Sequence, residues 1–325
     1  MIRKVEPVHS LENVRLLADP RRLEILRLLM ASPATLTQLA RTLRQSPAWI
    51  RHHILILESA GLVQVSEIRK TGKVTEKFYR AQADALLIRE IILPRTGKPL
   101  LIFSGSHDLA LEGIADHLQS HVTLLSLPVG SLDGLVNLRQ RLCQVSGSHL
   151  LDTNGEYNTP FVRHLFPDRN VEIVTLAHRT QGLMVAAGNP KQIKQLADLT
   201  RPGVRFMNRN PGSGTRLWLD ARFYENKIPF EKINGYQKTV NTHTEAATLI
   251  QTGKADAALG LQAAAHQHEL DFIPLFEERY DLVLSRDQEK ALSPLLDYIQ
   301  TRGFRKSLGS LTGYNPAHSG EQISL

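Results

Sequence analysis

Between residues 10 and 60 the apolar side chains return every three to four positions, in short blocks separated by turn-forming residues. Ser10–Ala18 predicts a short amphipathic helix. Asp19-Pro20-Arg21-Arg22 opens a second, since proline is tolerated in a first turn, and Leu23, Ile25, Leu26, Leu28 and Leu29 form its apolar face. After Pro33-Ala34-Thr35, a short helix over Thr37–Leu43 turns Leu39, Ala40 and Leu43 inward. Arg44-Gln45-Ser46 is a turn; Ser46 caps and Pro47 begins the next helix, which stops at Ala60-Gly61. Within it Ile50, Ile54 and Leu57 fall on one face, leaving Ala48, Trp49, Arg51, His52 and Leu55 on the other. The period then drops to two. Leu62–Arg69 and Val74–Arg80 alternate as strands about Lys70-Thr71-Gly72-Lys73, a hairpin loaded with cations. Ala83–Leu93 predicts a closing amphipathic helix, and 94–98 a linker.

From residue 99 onward one design repeats: a strand, a turn of small polar residues, then a helix. Leu100–Phe103 leads through Ser104-Gly105-Ser106-His107-Asp108 to a helix over Leu109–Gln119, and Val122–Leu127 through Val129–Gly134 to Leu135–Cys143. Its fullest form is Phe206–Asp220, where Asn-Pro-Gly-Ser-Gly-Thr-Arg stands between an apolar lead-in and a helix starting at Leu217. The first turn of a helix has N–H groups without intrahelical partners and the positive end of the dipole, so such a turn can seat an anion. An ordinary N-cap turn uses the same letters, and both readings stay open for each turn alone. Strands alternating with helices predict an α/β domain whose ligands gather at the carboxyl ends of the strands. Two such turns facing each other across a cleft would offer two helix N-termini to one anion.

Charge separates the two regions. Residues 1–98 carry 17 Lys and Arg against 9 Asp and Glu, and the remaining 227 carry 22 against 23. The whole excess lies in the first third, which points to nucleic acid there or to a merely solvated basic surface. Two short helices around a tight turn, with Arg51 and His52 outward on the second and a cationic hairpin after it, are a helix-turn-helix followed by a wing. Trp49 faces either bases or a neighbouring helix. His52 and His53 diverge on a helix, so they do not form one metal site, and His266 and His268 share no helix face. The lone Cys143 rules out an intrachain disulfide. Met1–Ser10 is charged and unlike a secretory signal, and no apolar run is long enough for a bilayer, so a cytoplasmic protein without membrane contact is expected.

LADPRRLEILRLL (17–29), LTQLARTL (36–43) and HILILESAGLV (53–63) resemble the arsenic-repressor-like (ArsR) winged-helix family over about residues 10–90. The resemblance implies double-stranded DNA as partner, with Trp49, Arg51 and His52 toward the major groove and Arg69, Lys70, Lys73 and Lys77 on phosphates or the minor groove. It also implies a homodimer through the helix at Ala83–Leu93. Metal sensing through cysteine pairs, common in that family, is not expected in a chain with no cysteine before Cys143.

SGSHD (104–108), GSLDGL (130–135), HLLDTNGEYN (149–158), GLMVAAGNP (182–190), RFMNRNPGSGTR (205–216), GKADAALGL (253–261) and DFIPLFEERYDLVL (271–284) resemble the periplasmic-binding-protein-like domain. That domain is found fused to helix-turn-helix regulators and to molybdenum-cofactor proteins, and is similar in turn to molybdate and tungstate receptors. The fold class implied is α/β with an N-terminal α+β winged helix (1–93) and a C-terminal type II two-lobed domain (99–325). Lobe one is expected in 99–175 plus 270–325 and lobe two in 180–265, with crossings near 176–181 and 261–272. The resemblance implies a ligand among Ser104, Ser106, Ser213, Thr215 and Tyr280, with Ser131, His149, Tyr157, Thr242 and His243 as further candidates. Arg216 has two uses open to it, Asp220 one turn on or the anion. His149 has the ligand or the loop 152–158, and Tyr280 the ligand or hinge packing.

The function expected is a ligand-responsive transcription regulator sensing a small oxyanion, molybdate or tungstate, with no catalytic residue, cofactor or direct metal-ion site. A regulator of a molybdopterin-type cofactor or other anionic metabolite is the alternative. An enzyme using Ser106 with His107 or His149 lacks a nucleophile elbow and a carboxylate pair. A transport receptor conflicts with the DNA-binding third.

Overall fold

The computed structural model describes residues 5–8, 11–71, 74–88, 91–95 and 97–325. It divides into two compact units, Met1–Pro94 and Arg95–Leu325.

The first unit runs β1 (Val5–Val8), α1 (Leu11–Leu17), α2 (Pro20–Ala31), α3 (Leu36–Leu43), α4 (Pro47–Ser59), β2 (Val63–Thr71), β3 (Val74–Ala81) and β4 (Ala85–Ile88). Its helix starts are set by local chemistry. Asp19 accepts the Arg21 amide at 2.9 Å, Ser46 accepts the Trp49 amide at 3.2 Å, and Thr35 and Gln38 cap each other reciprocally. Arg44, at φ 53°, turns the chain between α3 and α4. Ile25, Leu26, Leu29, Leu39, Ile50, Ile54 and Leu57 close the core at no more than 2% exposure. The β2–β3 hairpin is antiparallel, and Ala34 exchanges two backbone bonds with Tyr79, pinning the hairpin to the α2–α3 turn.

The helix expected over Ala83–Leu93 does not form. Ala85–Ile88 is a strand paired in parallel with β1, and 91–95 has no regular structure. Leu86-Leu87-Ile88 suits a strand as well as a helix, and the backbone partners offered by Val5–Val8 decide between them. Leu86 packs on the core while Leu87 and Ile88 remain about half exposed.

The second unit begins with β5 (Leu100–Gly105), α5 (Ala110–Leu118), β6 (Thr123–Pro128), α6 (Ser131–Arg139), β7 (Val145–Ser148) and α7 (Thr159–Leu165). The long β8 (Val171–Val185) leads to β9 (Phe206–Arg209), α8 (Gly214–Glu225), β10 (Thr239–Val240), α9 (His243–Gln251), β11 (Ala257–Leu261) and α10 (Gln262–Gln267). The equally long β12 (Asp271–Ser285), α11 (Glu289–Ile299), α12 (Arg302–Gly309), β13 (Tyr314–Asn315) and β14 (Gln322–Ile323) close the chain. Strand order is β10-β9-β11-β8-β12-β7-β5-β6, with β13 and β14 also on β8. β5, β6 and β7 are parallel to one another, as are β9, β10 and β11. Between these groups β8 and β12 run antiparallel as a ribbon whose two ends serve the two lobes. Fold class is therefore the expected one: a helical N-terminal unit with a β-hairpin, then a two-lobed α/β unit.

The second crossing lies later than 261–272. Leu261 ends β11 and Gln262–Gln267 is helical, whereas β12 carries the chain across and pairs with β7 only from Asp281. A register shift at Tyr280/Asp281 marks the change of neighbours. No helix among the described residues is long and apolar enough to cross a membrane.

Candidate functional site

The loops that follow β5, β6, β7, β9 and β10 converge on the middle of the β8–β12 ribbon. α6 starts from Gly130, whose φ of 99° is open to glycine, and α8 starts from Ser213 in an extended conformation. These two helix N-termini come from opposite lobes and meet. The Leu132 amide donates to Gly212 O at 3.2 Å, and Asn210 Nδ2 donates to Val129 O at 2.7 Å. A Cβ on Gly130 would lie 3.0 Å from the Ser213 nitrogen, and one on Gly214 would lie 2.5 Å from His149 O. Both glycines are needed for the lobes to approach this closely.

Around that junction Ser106, Ser131, His149, Ser213 and Thr215 are buried. Ser106 Oγ is 2.8 Å from His149 Nε2, and His149 Nδ1 is 2.6 Å from Glu278 Oε2. Ser131 Oγ accepts the His149 amide at 3.2 Å, and Gln181 Nε2 donates to Thr215 Oγ1 at 3.1 Å. Thr215 thereby keeps its own hydroxyl hydrogen for another acceptor.

Beneath the hydroxyls lie two arginines, each about 1% exposed. Arg179 donates to Asp108 Oδ2 at 2.5 Å and to Glu278 Oε1, and its guanidinium lies 4.0 Å from the Tyr280 ring centroid. Burial pushes the Glu278 carboxyl up, but Arg179 and His149 pull it further down, to about 2. Burial also works against the Arg179 charge, yet Glu278 and Asp108 raise its affinity for the proton above the ordinary. Arg209 has no such carboxylate. It donates to Asn241 O at 2.8 Å, and its Nη1 lies 2.9 Å from the ring nitrogens of His243. Burial and the neighbouring Arg179 bring it down to about 10, and its Nε has no protein partner. Burial lowers His107 to about 4, lowers His149, and lowers His243 far below the usual range. Three neutral rings thus surround a sealed cation that no carboxylate offsets directly. Arg179 with Asp108 and Glu278 leaves one negative charge that balances Arg209 only at a distance, and a negative guest would give Arg209 a direct partner. Among the described residues no group of three His, Cys, Asp or Glu side chains is arranged to hold a metal ion.

Several of the expected residues also have partners within the protein. Ser104 accepts from Asn137 Nδ2 at 2.9 Å in the packing of β5 on α6. Tyr280 donates to Ser106 O at 2.5 Å and fills the space above Gly147, so it supports the turn from below. Tyr157 donates to Glu277 O at 3.2 Å, and Thr242 caps α9 through the Glu245 amide at 3.0 Å. Arg216 pairs with Asp220 at 2.8 Å and lies 4.2 Å from the Tyr236 ring centroid, because the i,i+4 carboxylate is nearer than the cleft. Sequence reasoning did not find Arg179, Gln181, Arg209 and Glu278. A charged residue inside an otherwise buried strand pattern, as in Val171–Val185, was the available signal.

In the head, Arg51 and His52 are exposed on α4 beside Pro47, Ala48 and Leu55. Arg51 also borders a groove of about 530 Å³ with Thr35, Thr37, Lys77 and Tyr79. Trp49 is half-buried, its ring edge-on to His53 at 4.3 Å, so it packs more than it projects. Lys70 and Lys77 are exposed on the hairpin. Arg69 is held by Glu67 at 2.7 Å and lies over Phe78, and Lys73 is outside the described residues.

Comparison with known proteins agrees with both units. Residues 114–300 match the PBP superfamily domain, and residues 19–65 match the bacterial regulatory proteins of the arsR family. The uncharacterized protein YvgK of Bacillus subtilis is 33% identical over 230 residues, 70% of this chain and 74% of that one. The molybdate-binding protein ModA of Mycobacterium tuberculosis is 36% identical over 87 residues, 26% of this chain and 30% of that one. Among solved structures, the sulfate-binding protein SubI of Mycobacterium tuberculosis superposes with a TM-score of 0.50 at 15% identity, over 68% of this chain and 87% of that one. At that identity the likeness is one of fold.

Proposed function

This chain belongs to the PBP superfamily and carries an arsR-family regulatory module at its head, and from that premise we propose a transcription regulator that senses a tetrahedral oxyanion, molybdate or tungstate. The head binds double-stranded DNA, with Arg51 and His52 at base edges and Lys70 and Lys77 on phosphates. The anion lies between the N-termini of α6 and α8. Ser106, Ser131, Ser213 and Thr215 line its seat, and Arg209 supplies the charge. Closing the lobes on the ligand biases the arrangement of the head by as much as the ligand prefers the closed state.

The observation that carries this reading is the meeting of two helix N-termini from opposite lobes above a buried guanidinium that lacks a carboxylate. First-turn amides and hydroxyls are donors, and a fully ionised oxyanion is an acceptor on every side. The local match to ModA supports molybdate chemistry. The approach of Gly130 to Ser213 favours a compact guest over one the size of a pterin.

A hydrolytic reading draws on the row Ser106–His149–Glu278, which has the order of nucleophile, base and orienting carboxylate. Against it, Glu278 is also bound by Arg179, and the Ser106 amide is turned to Gly147 O at 2.9 Å rather than toward a reacting carbonyl. Calorimetric titration of the full chain with molybdate, tungstate, sulfate and phosphate tests the main reading. Saturable one-to-one binding of molybdate or tungstate, accompanied by a changed affinity for operator DNA, is expected. Silence toward all four anions would overturn it.

A further inference from the structure

We infer that oxyanion capture is coupled to a proton: one proton enters the cleft with each dianion, and His149 receives it through the Ser106 hydroxyl. The inference rests on the oxyanion reading of the cleft and adds a determinant of when the site binds.

The argument is one of hydrogen-bond direction. Glu278 is ionised, so both its oxygens are acceptors, one facing Arg179 and the other 2.6 Å from His149 Nδ1. That contact is too bent for a regular hydrogen bond, yet a bare Nδ1 would set its lone pair 2.6 Å from a carboxylate oxygen, so the ring hydrogen belongs on Nδ1. A neutral His149 then has a bare lone pair at Nε2, and Ser106 Oγ, 2.8 Å away, must give it its only hydrogen. The Ser106 amide is already committed to Gly147 O. In this state Ser106 presents only lone pairs to the cleft.

A fully ionised tetrahedral oxyanion presents only lone pairs as well, and two acceptors in contact repel. One proton from solvent resolves the conflict. Placed on Nε2, it makes the ring an imidazolium that donates to Ser106 Oγ, and the Ser106 hydrogen swings to the anion. No bond to the anion is made or broken. Ser106, His149 and Glu278 are each at most 2% exposed, so water does not satisfy the mismatch instead.

The surroundings leave the ring poised. Glu278 and the neutral Tyr280 face it from β12, Arg179 from β8, Arg209 from the end of β9, His243 from α9, and His107 from the loop after β5. Glu278 favours the imidazolium, whereas the two arginines and burial oppose it, and in the unliganded cleft burial keeps the ring neutral. A dianion beside Ser106 adds charge of the sign that favours protonation. A Cβ on Gly214 would stand 2.7 Å from His149 Nδ1, so the positive end of α8 lies against this ring and, like the arginines, opposes its protonation while no anion is bound.

Calorimetry of the full chain with sodium molybdate, tungstate and sulfate, at one pH above neutrality in buffers of different ionisation enthalpy, reads the proton directly. None of the three anions carries a proton there. The heat should vary with buffer by close to one proton taken up per anion bound, and affinity should fall roughly tenfold for each pH unit of increase. In His149→Gln and in Ser106→Ala, uptake should drop to near zero and the pH dependence should flatten. Binding of any of the anions by the wild-type chain with no proton uptake would overturn this inference while leaving the oxyanion reading intact. Uptake that persists undiminished in His149→Gln would overturn the assignment to His149. Silence toward every anion would overturn both readings.

Discussion

Arg51 of the head stands in water, whereas Arg179 and Arg209 of the cleft are sealed away from it. An exposed cation keeps its hydration and its rotamers until a partner arrives, so it suits a long polyanion met reversibly and in competition with salt. A buried cation must be satisfied in advance, and the protein does this differently for its two arginines. Arg179 is clamped by Asp108 and Glu278 and behaves as structure; Arg209 is held by neutral groups and remains available for charge from outside. Burial alone therefore does not separate framework from site. The sign of the neighbours does.

That distinction can be broken most strongly at Arg179. Arg179→Met would leave two buried carboxylates without their partner and should cost about 3–5 kcal/mol of stability, read by denaturant unfolding of the full chain. In the native chain the depressed Glu278 contributes stability that is full above the ordinary carboxylate value of 4.5 and is lost as pH falls toward about 2. Arg179→Met should flatten this acid dependence, and an unchanged profile would remove Arg179 from the framework.

Gly214→Ala sharpens the comparison within the cleft. Alanine suits the first turn of a helix, so stability should hold, but its Cβ meets His149 O only when the lobes are together. Oxyanion affinity should fall by roughly 1–3 kcal/mol, or about 5- to 150-fold, with no loss of DNA binding. In the head, Arg51→Ala should remove about 1–3 kcal/mol of operator-specific binding and leave anion affinity untouched, as measured by competitive mobility shift. The smallest effect is expected on the hairpin. Lys77→Ala should reduce the slope of log affinity against log salt by about 0.9, and Arg69→Ala by less, because Glu67 already holds it.

The legible parts of the molecule were those whose causes lie close together in sequence. Thr35 and Gln38, or Ser46 and Pro47, set helix starts within one turn; the Ser/Gly/Thr stretches before Leu135 and Leu217 read as turns, whereas α6 already starts at Ser131 and α8 at Gly214. Leu86-Leu87-Ile88 reads wrongly as helix for the opposite reason, since its conformation depends on Val5–Val8 some eighty residues earlier. The charged half of the site was hidden likewise. Arg179 finds Asp108 71 residues away and Glu278 99 residues away, and Arg209 finds His243 at a separation of 34. Local spacing showed where an anion could sit, while the fold alone brought the charge that would hold it.

The central claim is that one compact oxyanion is held where the starts of α6 and α8 meet above Arg209. Anomalous diffraction at the tungsten edge, from crystals of the full chain grown with tungstate, tests it most directly. The account predicts a single strong peak within hydrogen-bonding reach of Ser106, Ser131 and Thr215, with the lobes closed about it. A well-ordered cleft with no peak there, or a peak only on the outer surface, would contradict it.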